Sequence, residues 1–436
     1  MPDQLESPQP DAGVPEPEPW DRRRDRRAAA LLFLIVGVVY LATATYSFVQ
    51  VNDTRATAIA AWSLGTQGSL ALPEVWAQED TAIDWVREGA DGNSYVARFP
   101  GAILWATPFY ALAGLIGDTE VPEHPWLITF VPAGIAAATA AALAITLSFV
   151  LYRRLVDRRT AVAAAGVMAL GTSVWSVSAD ALWNHGFTHL WIVVGLLYLT
   201  DDKPARGGLA LAASVISRPQ TAVVAAVLGI ARAWERRSVR TLVIVGATSA
   251  LGAVAMAVYT RAVFGTWVPT AGYGTSGVER VASTSGMAMG VRAWGMLFDG
   301  ERGALLYTPV LLLGLAGGAV AWRRVPAWVR ASAVAGVVYL AVQLRANGFD
   351  GGFHFFGPRL FIETLVLLSP LVVAGYALWI RGSKPRRLAF NALIGISVVI
   401  HGLGATVLTY STDAERFLVE RLAERCEELG VASDDC

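Results

Sequence analysis

One aspartate follows the first long apolar segment of the chain within a few residues. Residues 28–48 carry no charge and are long enough to cross a bilayer, and Asp53 comes soon after them. A carboxylate held there lies at headgroup depth, where it can act as a base toward a lipid-phosphate substrate. The same run also suits a helix cap before residues 56–64. We take Asp53 as the candidate catalytic residue and Arg55 as a candidate substrate ligand.

Acidic and aromatic side chains are interleaved in the residues that follow. The set is Glu74, Glu79, Asp80, Asp84 and Asp91 with Trp62, Trp76, Trp85 and Tyr95. This composition suits sugar binding through hydroxyl hydrogen bonds and ring stacking, and it is equally typical of the aromatic belt at a membrane interface. We take Asp80 and Asp84 as candidate sugar ligands. Arg98 is a further candidate substrate ligand. It lies two residues before Pro100, and a proline there is typical of a helix start.

Two arginines lie in or beside apolar segments. Arg218 lies in the middle of the apolar segment 207–231, where it needs a phosphate or a carboxylate as partner unless it snorkels outward. Arg359 ends the glycine-rich and aromatic run 350–358. It could bind a phosphate bidentately or pair with Glu363 at the helical spacing i,i+4. Both arginines are candidate substrate ligands.

Histidines and their neighbours complete the candidate site. His185 and His189 share a helix face at i,i+4, which suits either a two-ligand metal arrangement or the wall of a wet cavity. We take Asn184, His185, Tyr273 and His354 as candidate substrate ligands. We assign no metal ligand.

Composition places these residues in a membrane protein. Of the 436 residues, 54% are hydrophobic and only 16% are charged, with a mean hydropathy of +0.47, whereas soluble proteins are about 25% charged. Lys and Arg number 35, as do Asp and Glu, so a nucleic-acid partner has no electrostatic support. The two cysteines exclude a cysteine-based zinc cage and a disulfide-dense scaffold. The sequence predicts an all-α polytopic membrane protein.

Clusters of basic residues between the apolar segments predict the topology. They are Arg22–Arg27, Arg153–Arg159, Lys203/Arg206, Arg232–Arg240, Arg323–Arg330 and Arg381–Arg387. If all are cytoplasmic turns, residues 49–125 form one large first outer loop, in which 101–117 is an interfacial or re-entrant helix. Predicted spans are 28–48, 126–151, 160–178, 186–200, 239–260, 303–321, 327–345, 359–380 and 388–410. With the short pair in 207–231, about 11 transmembrane helices result.

Three regions follow from this topology. Residues 1–27 are predicted to be a disordered cytoplasmic tail, because they are rich in Pro, Glu and Asp and end in arginines. Residues 28–410 form the transmembrane domain, and 411–436 form an outer tail. In that tail Cys426 and Cys436 could pair or stay free.

Several short motifs, in this order along the chain, resemble those of the GT-C superfamily of membrane glycosyltransferases. Beside the acid after the first span and the large first loop, they are Phe99–Gly101, Tyr152–Leu155, Ser217–Gln220, Arg302–Pro309 and Gly351–Arg359. The resemblance covers most of residues 28–380, and it rests on the order and spacing of the motifs.

The resemblance implies an enzyme of cell-envelope biogenesis in the plasma (inner) membrane, with a cytoplasmic N-terminus and an outer active site. It would move a sugar from a polyprenyl-phosphate donor to a hydroxyl of a lipid, polysaccharide or protein acceptor, with inversion. Asp53, matching the family's first-loop acid, would be the general base, and Arg218 or Arg359 would stabilise the leaving phosphate. The chain has Asn-Asp-Thr where a paired acid motif would favour a metal. No cofactor is therefore assigned, and Mg or Mn remains compatible.

Two other functions fit the composition. A transporter or flippase for a lipid-linked or anionic substrate would use broken helices and membrane-embedded Arg218 and His401, although no inverted repeat is seen. A non-catalytic subunit with the same fold is the second alternative.

Overall fold

The computed structural model describes residues 19–47, 52–77, 85–117, 119–271, 281–349, 351–352 and 355–407. The helices are α1 Arg22–Thr43, α2 Asn52–Trp62, α3 Glu74–Ala77, α4 Pro100–Gly114, α5 Val131–Tyr152, α6 Arg158–Leu170, α7 Asn184–Thr200, α8 Pro204–Ser217, α9 Ala222–Arg236, α10 Val239–Phe264, α11 Gly286–Phe298, α12 Ala304–Tyr307, α13 Val310–Ala321, α14 Ala327–Ala346, α15 Ile362–Gly375 and α16 Lys384–Thr406. Single 3-10 or π turns are Ser63–Gln67, Pro125–Leu127, Val174–Ser178, Pro219–Thr221, Arg359–Phe361 and Tyr376–Ile380. Strands β1 Val86–Glu88 and β2 Ser94–Val96 form an antiparallel hairpin.

Six helical segments of the described residues are long and apolar enough to cross a bilayer. They are α1, α5, α10, α14, α16 and the continuous segment Arg359–Ile380 that contains α15. The predicted all-α polytopic class is therefore confirmed, with the small hairpin in the first loop as its one β element among the described residues. Helices long enough to span a bilayer are fewer among the described residues than the predicted count of about 11. Several predicted spans are shorter helices or are interrupted.

Two predicted spans are broken by local sequence. Within the predicted span 160–178, the regular α-helix ends at Leu170, before Gly171. The rest of the span contains only a π turn. The predicted span 303–321 consists of α12 and α13, separated at Pro309. Proline removes a backbone donor and ends a helix, which accounts for the second break.

The N-terminal helix begins before its apolar part. α1 starts at Arg22, so the predicted tail boundary at residue 27 lies inside it. The fully buried Asp25 carboxylate accepts a hydrogen bond from Arg153 Nε at 2.9 Å and another from Arg158 Nε at 2.9 Å. These charge-assisted bonds tie α1 to the turn between α5 and α6.

Other ion pairs join three further basic turns at the same end of the bundle. They are Arg154–Asp201 at 2.7 Å, Arg232–Asp202 at 3.1 Å and Arg381–Asp157 at 3.0 Å. Each pair connects residues in or beside the turns that the sequence assigns to the cytoplasm. Five of the six basic turns are therefore joined at one end of the helices.

The first loop lies at the end of the bundle opposite the basic turns. α4 begins with Pro100 at its first turn, as predicted, and buries Ile103 and Tyr110 against neighbouring helices. Its other face exposes Leu104 and Leu112. A helix with one packed and one exposed apolar face suits an interfacial position, and that position stays a prediction.

Candidate functional site

Three predicted site residues meet at the N-terminus of α2. Asp53 Oδ1 accepts a hydrogen bond from Arg98 Nη1 at 3.0 Å, and Asp53 Oδ2 accepts one from Arg359 Nη1 at 3.1 Å. The three side chains are only 9–15% exposed. Residues that are 45 and 306 positions apart in the chain thus form one compact ion cluster.

Aromatic rings flank both guanidiniums of this cluster. Arg359 Cζ lies 4.4 Å from the ring centroid of Trp183 and 4.6 Å from that of Phe355, and Arg98 Cζ lies 5.0 Å from the Trp85 ring. A guanidinium over an aromatic face is attracted by the ring quadrupole. The rings therefore hold both cations in place and limit the access of water to them.

A glycine pair lets the chain pass close to Arg359. Gly351 and Gly352 have φ values of +71° and +94°, which favour glycine. A Cβ atom on Gly351 would lie 3.0 Å from Arg359 Nε. The glycines of the Gly351–Arg359 motif are thus explained by backbone conformation and by contact with the guanidinium.

The charge state of Asp53 follows from its surroundings. Burial alone would raise the pKa of its carboxyl, but the guanidiniums of Arg98 and Arg359 and hydrogen bonds hold the pKa below its usual value. Asp53 is therefore an anion in the folded protein at neutral pH. As a base it is weakened for as long as both arginines stay in contact with it.

This depressed pKa predicts how stability depends on pH. A carboxyl with a lower pKa in the folded state stabilises the fold above its unfolded pKa, and that contribution disappears as pH falls through the folded pKa. The difference in apparent Tm between wild type and Asp53→Asn in detergent should therefore stay constant at neutral pH. The Tm difference should shrink only when the pH falls below 3.8, the ordinary pKa of an aspartate carboxyl. A difference that shrinks near neutral pH would contradict the ion cluster.

A second buried cluster surrounds Arg218. Arg218 Nε lies 3.4 Å from Glu363 Oε1, and His185 Nδ1 lies 2.8 Å from the same oxygen. Arg218 Nη1 lies 3.3 Å from His185 Nε2. Arginine can only donate, so Nε2 accepts and the Nδ1 proton of a neutral imidazole bonds Glu363. Glu363, which is fully buried, is thus the anionic partner that Arg218 requires in the membrane.

Further contacts occupy the guanidinium of Arg218. Its Nε donates to Tyr339 Oη at 3.0 Å, and its Nη2 donates to Gln343 Oε1 at 2.8 Å. Of the two partners predicted for Arg218, a phosphate or a carboxylate, the structure shows the carboxylate. A role of Arg218 toward a phosphate stays a prediction. The i,i+4 pair of Arg359 with Glu363 does not form, because Arg359 contacts Asp53 instead.

A close helix contact connects the two clusters. A Cβ atom on Gly101, at the start of α4, would lie 2.7 Å from Ser217 Cα, beside Arg218. The Phe99–Gly101 and Ser217–Gln220 motifs are thus in direct contact.

Gly101→Ala is expected to destabilise the protein by about 1–3 kcal/mol, because the added methyl must push α4 away from α8. Thermal denaturation in detergent measures this loss. Gly166→Ala is the matched control, since a Cβ at this helical glycine meets nothing within 4 Å. Equal stability of the two variants would contradict the packing of the motifs.

The remaining predicted ligands have other contacts than the Asp53 carboxylate, or they lie outside the residues that the structure describes. Arg55 hydrogen-bonds Asn52 within α2. Asn184 is buried beside His185 at the start of α7. His189 Nε2 lies 3.3 Å from Ser148 Oγ, away from the partners of His185. The other predicted residues, Asp80, Asp84, Tyr273 and His354, lie outside the described residues, as do Cys426 and Cys436.

His401 supports the loop that carries Arg359. Its Nδ1 lies 3.0 Å from Ser176 Oγ and its Nε2 lies 3.0 Å from Thr308 Oγ1. Ser176 Oγ in turn donates to the carbonyl of Phe356 at 3.0 Å. The ring is thus hydrogen-bonded through both of its nitrogens.

Sequence reasoning missed the residues that complete both clusters. Trp183 and Phe355 both contact the Arg359 guanidinium, and Glu363 pairs with Arg218. An acid inside an apolar segment is itself a signal of a buried partner, and it could have identified Glu363.

No protein-family model matches the chain, and no curated protein sequence matches it. The solved structures that match this chain include two from Archaeoglobus fulgidus. The oligosaccharyltransferase of Archaeoglobus fulgidus, in a complex with zinc and sulfate, gives a TM-score of 0.53 at 15% identity over 91% of this chain and 55% of that chain. The archaeal oligosaccharyltransferase AglB from Archaeoglobus fulgidus, with an inhibitory peptide and a dolichol-phosphate, gives 0.48 at 13% identity over 93% and 60%.

This chain therefore spans little more than half the length of the oligosaccharyltransferases that it matches. The first of the two likenesses is informative about the fold alone, given the low identity. The chain has the GT-C-like membrane fold that its motifs predicted.

Proposed function

We propose that the protein is a GT-C-type glycosyltransferase that moves a sugar from a polyprenyl-phosphate donor to an acceptor hydroxyl. One observation carries the proposal: a carboxylate of the first loop lies between two guanidiniums suited to bind a phosphate. Acid and cations come from three distant motifs that the fold brings together. Either transport alternative would leave the position of Asp53 without a chemical role.

The reaction is a direct displacement at the anomeric carbon. The acceptor hydroxyl oxygen forms the new bond to that carbon, and its proton goes to Asp53. The bond from the carbon to the phosphate oxygen breaks, and the electron pair leaves on the polyprenyl phosphate. Arg359 and Arg98 stabilise the charge on this leaving group. A second carboxylic acid, as in glycosidases, is not needed because the phosphate leaves as an anion.

The position of the cluster along the helices supports an outer active site. Arg359 begins the 22-residue segment Arg359–Ile380, which spans about 33 Å at 1.5 Å per residue. Arg381, at its other end, pairs with Asp157 among the basic turns. If those turns are cytoplasmic, Asp53 acts at the outer face of the plasma membrane, on an acceptor from the lipid, polysaccharide or protein class.

The surroundings of Asp53 do not fit a divalent cation. Both carboxylate oxygens already accept hydrogen bonds from cations. Within the described ranges, no three His, Cys, Asp or Glu side chains are grouped as metal ligands. The proposed reaction therefore uses guanidinium charge at the position where Mg or Mn would act.

Transfer of labelled sugar tests the proposal directly. Membranes that contain the full chain are supplied with a panel of polyprenyl-phosphate sugars, beside membranes that lack the chain. We expect a glycosylated product and free polyprenyl phosphate in equal amounts. Movement of the lipid across the bilayer without any glycosyl product would favour the flippase alternative instead.

A further inference from the structure

The carboxylate of Asp53 occupies the place of an anion between two cations. Its oxygens lie 3.0 and 3.1 Å from Arg98 and Arg359, which are distances typical of charge-assisted bonds. Trp183 and Phe355 both contact the Arg359 guanidinium. The cations are thus positioned for an anion before any substrate arrives, and Asp53 is the anion they contact.

Such a contact conflicts with the chemistry of a base. A carboxylate that accepts bonds from two guanidiniums has little affinity for a proton. The donor phosphate is a diester with one negative charge and two non-bridging oxygens, so it can face both guanidiniums as the carboxylate does. Transfer of the sugar turns it into a monoester with about −1.5 to −2 charges, which binds both cations better than one carboxylate does. Arg359 also has capacity for it, because its buried Nε has no hydrogen-bond partner among the described residues.

We propose that Asp53 and the donor phosphate compete for Arg98 and Arg359, so that binding of the donor releases Asp53 to act as the base. This inference rests on the proposed function of the site and adds a regulation to it. Without donor, Asp53 neutralises the cations and cannot activate a hydroxyl. With donor bound, the cations face the phosphate, and Asp53 regains its affinity for a proton.

The competition makes a prediction that a simple base would not make. Asp53→Asn removes the competing charge, so the variant should bind a phosphate more tightly than wild type does. The probe is farnesyl phosphate, titrated by calorimetry into the full chain in lipid nanodiscs. We expect its Kd to fall about tenfold or more in Asp53→Asn, since the two charge-assisted contacts of the carboxylate no longer have to be broken. Farnesol, which lacks the phosphate, should bind both proteins equally.

Controls separate this effect from a general change of charge. Asp157→Asn removes an acid that pairs with Arg381 at the other end of the bundle, and it should leave the Kd unchanged. Adding Arg359→Gln to Asp53→Asn should remove the gained affinity. Where Asp53→Asn does not accumulate as folded protein, Asp53→Ser replaces it with the same expected direction. Unchanged or weaker phosphate binding in the folded variant overturns the competition.

The outcome is distinguishable from failure of the proposed function. Tighter phosphate binding without any sugar transfer in wild type would keep the competition and reject the glycosyltransferase. Sugar transfer in wild type with no gain in affinity in the variant would keep the enzyme and reject the competition.

Discussion

Replacing Asp53 by asparagine is expected to lower sugar transfer by about 10²–10⁴-fold, the usual contribution of a positioned general base. Asparagine has nearly the same shape, and its carbonyl oxygen can still accept a hydrogen bond from Arg98 or Arg359. It cannot take the proton of an acceptor hydroxyl. The loss should appear in kcat, since the phosphate competition described above predicts that donor binding is retained or improved.

The measurement is transfer of labelled sugar in membranes, at matched amounts of folded protein. Asp157→Asn, an equivalent change beside Arg381, should retain wild-type activity. Asp53→Glu should keep part of the activity because it keeps the carboxylate. Equal activity of wild type and Asp53→Asn would move the base elsewhere in the first loop, with Asp80 and Asp84 as the next residues to replace.

Glu363→Gln is expected to cost about 3–5 kcal/mol of stability, the range for a buried ion pair that loses one partner. Glu363 is fully buried, accepts a hydrogen bond from His185 and forms an ion pair with Arg218. Glutamine keeps the size of the side chain but leaves the Arg218 charge without a counter-charge in an apolar surrounding. Tyr339 and Gln343 contact the guanidinium, but neither is an anion.

Denaturation of the purified protein in detergent measures this effect. Glu235→Gln is the matched control, because Glu235 pairs with Arg232 at the surface, where a pair is worth about 0–1 kcal/mol. The double variant Arg218→Met with Glu363→Met should recover much of the loss, since it leaves no unpaired charge. A loss for Glu363→Gln no larger than that of the control would refute the buried ion pair.

Hydropathy and arginine clusters were sufficient to predict the class of the fold and several of its details. The break at Arg218 between α8 and α9 and the start of α4 at Pro100 are both confirmed. These features depend on local sequence, mainly on proline and on charges in apolar segments. The number of full spans was not predicted, because hydropathy alone does not show that an apolar segment is interrupted, as it is after Leu170.

The sequence identified Asp53, Arg98 and Arg359 as candidate site residues, but it did not predict that they pair with each other. Nothing in the sequence brings Asp53 next to Arg359, which is 306 positions away. The helical spacing of Arg359 and Glu363 allowed a local pair as one alternative. Arg359 instead lies in a 3-10 turn, where residues three apart eclipse and the i,i+4 spacing no longer shares a face. One local deviation from α-helical geometry thus directs the two side chains to different partners.

The buried Asp25 also bears on the order in which the chain assembles during synthesis. Its partners Arg153 and Arg158 are 128 and 133 positions further along. At roughly 5–20 residues per second, they leave the ribosome on the order of ten seconds after Asp25 does. During that interval α1 is an inserted but undocked anchor, and the Asp25 carboxylate is still hydrated. Loss of Arg153 would therefore slow the docking of this helix, because only Arg158 would then pair with Asp25.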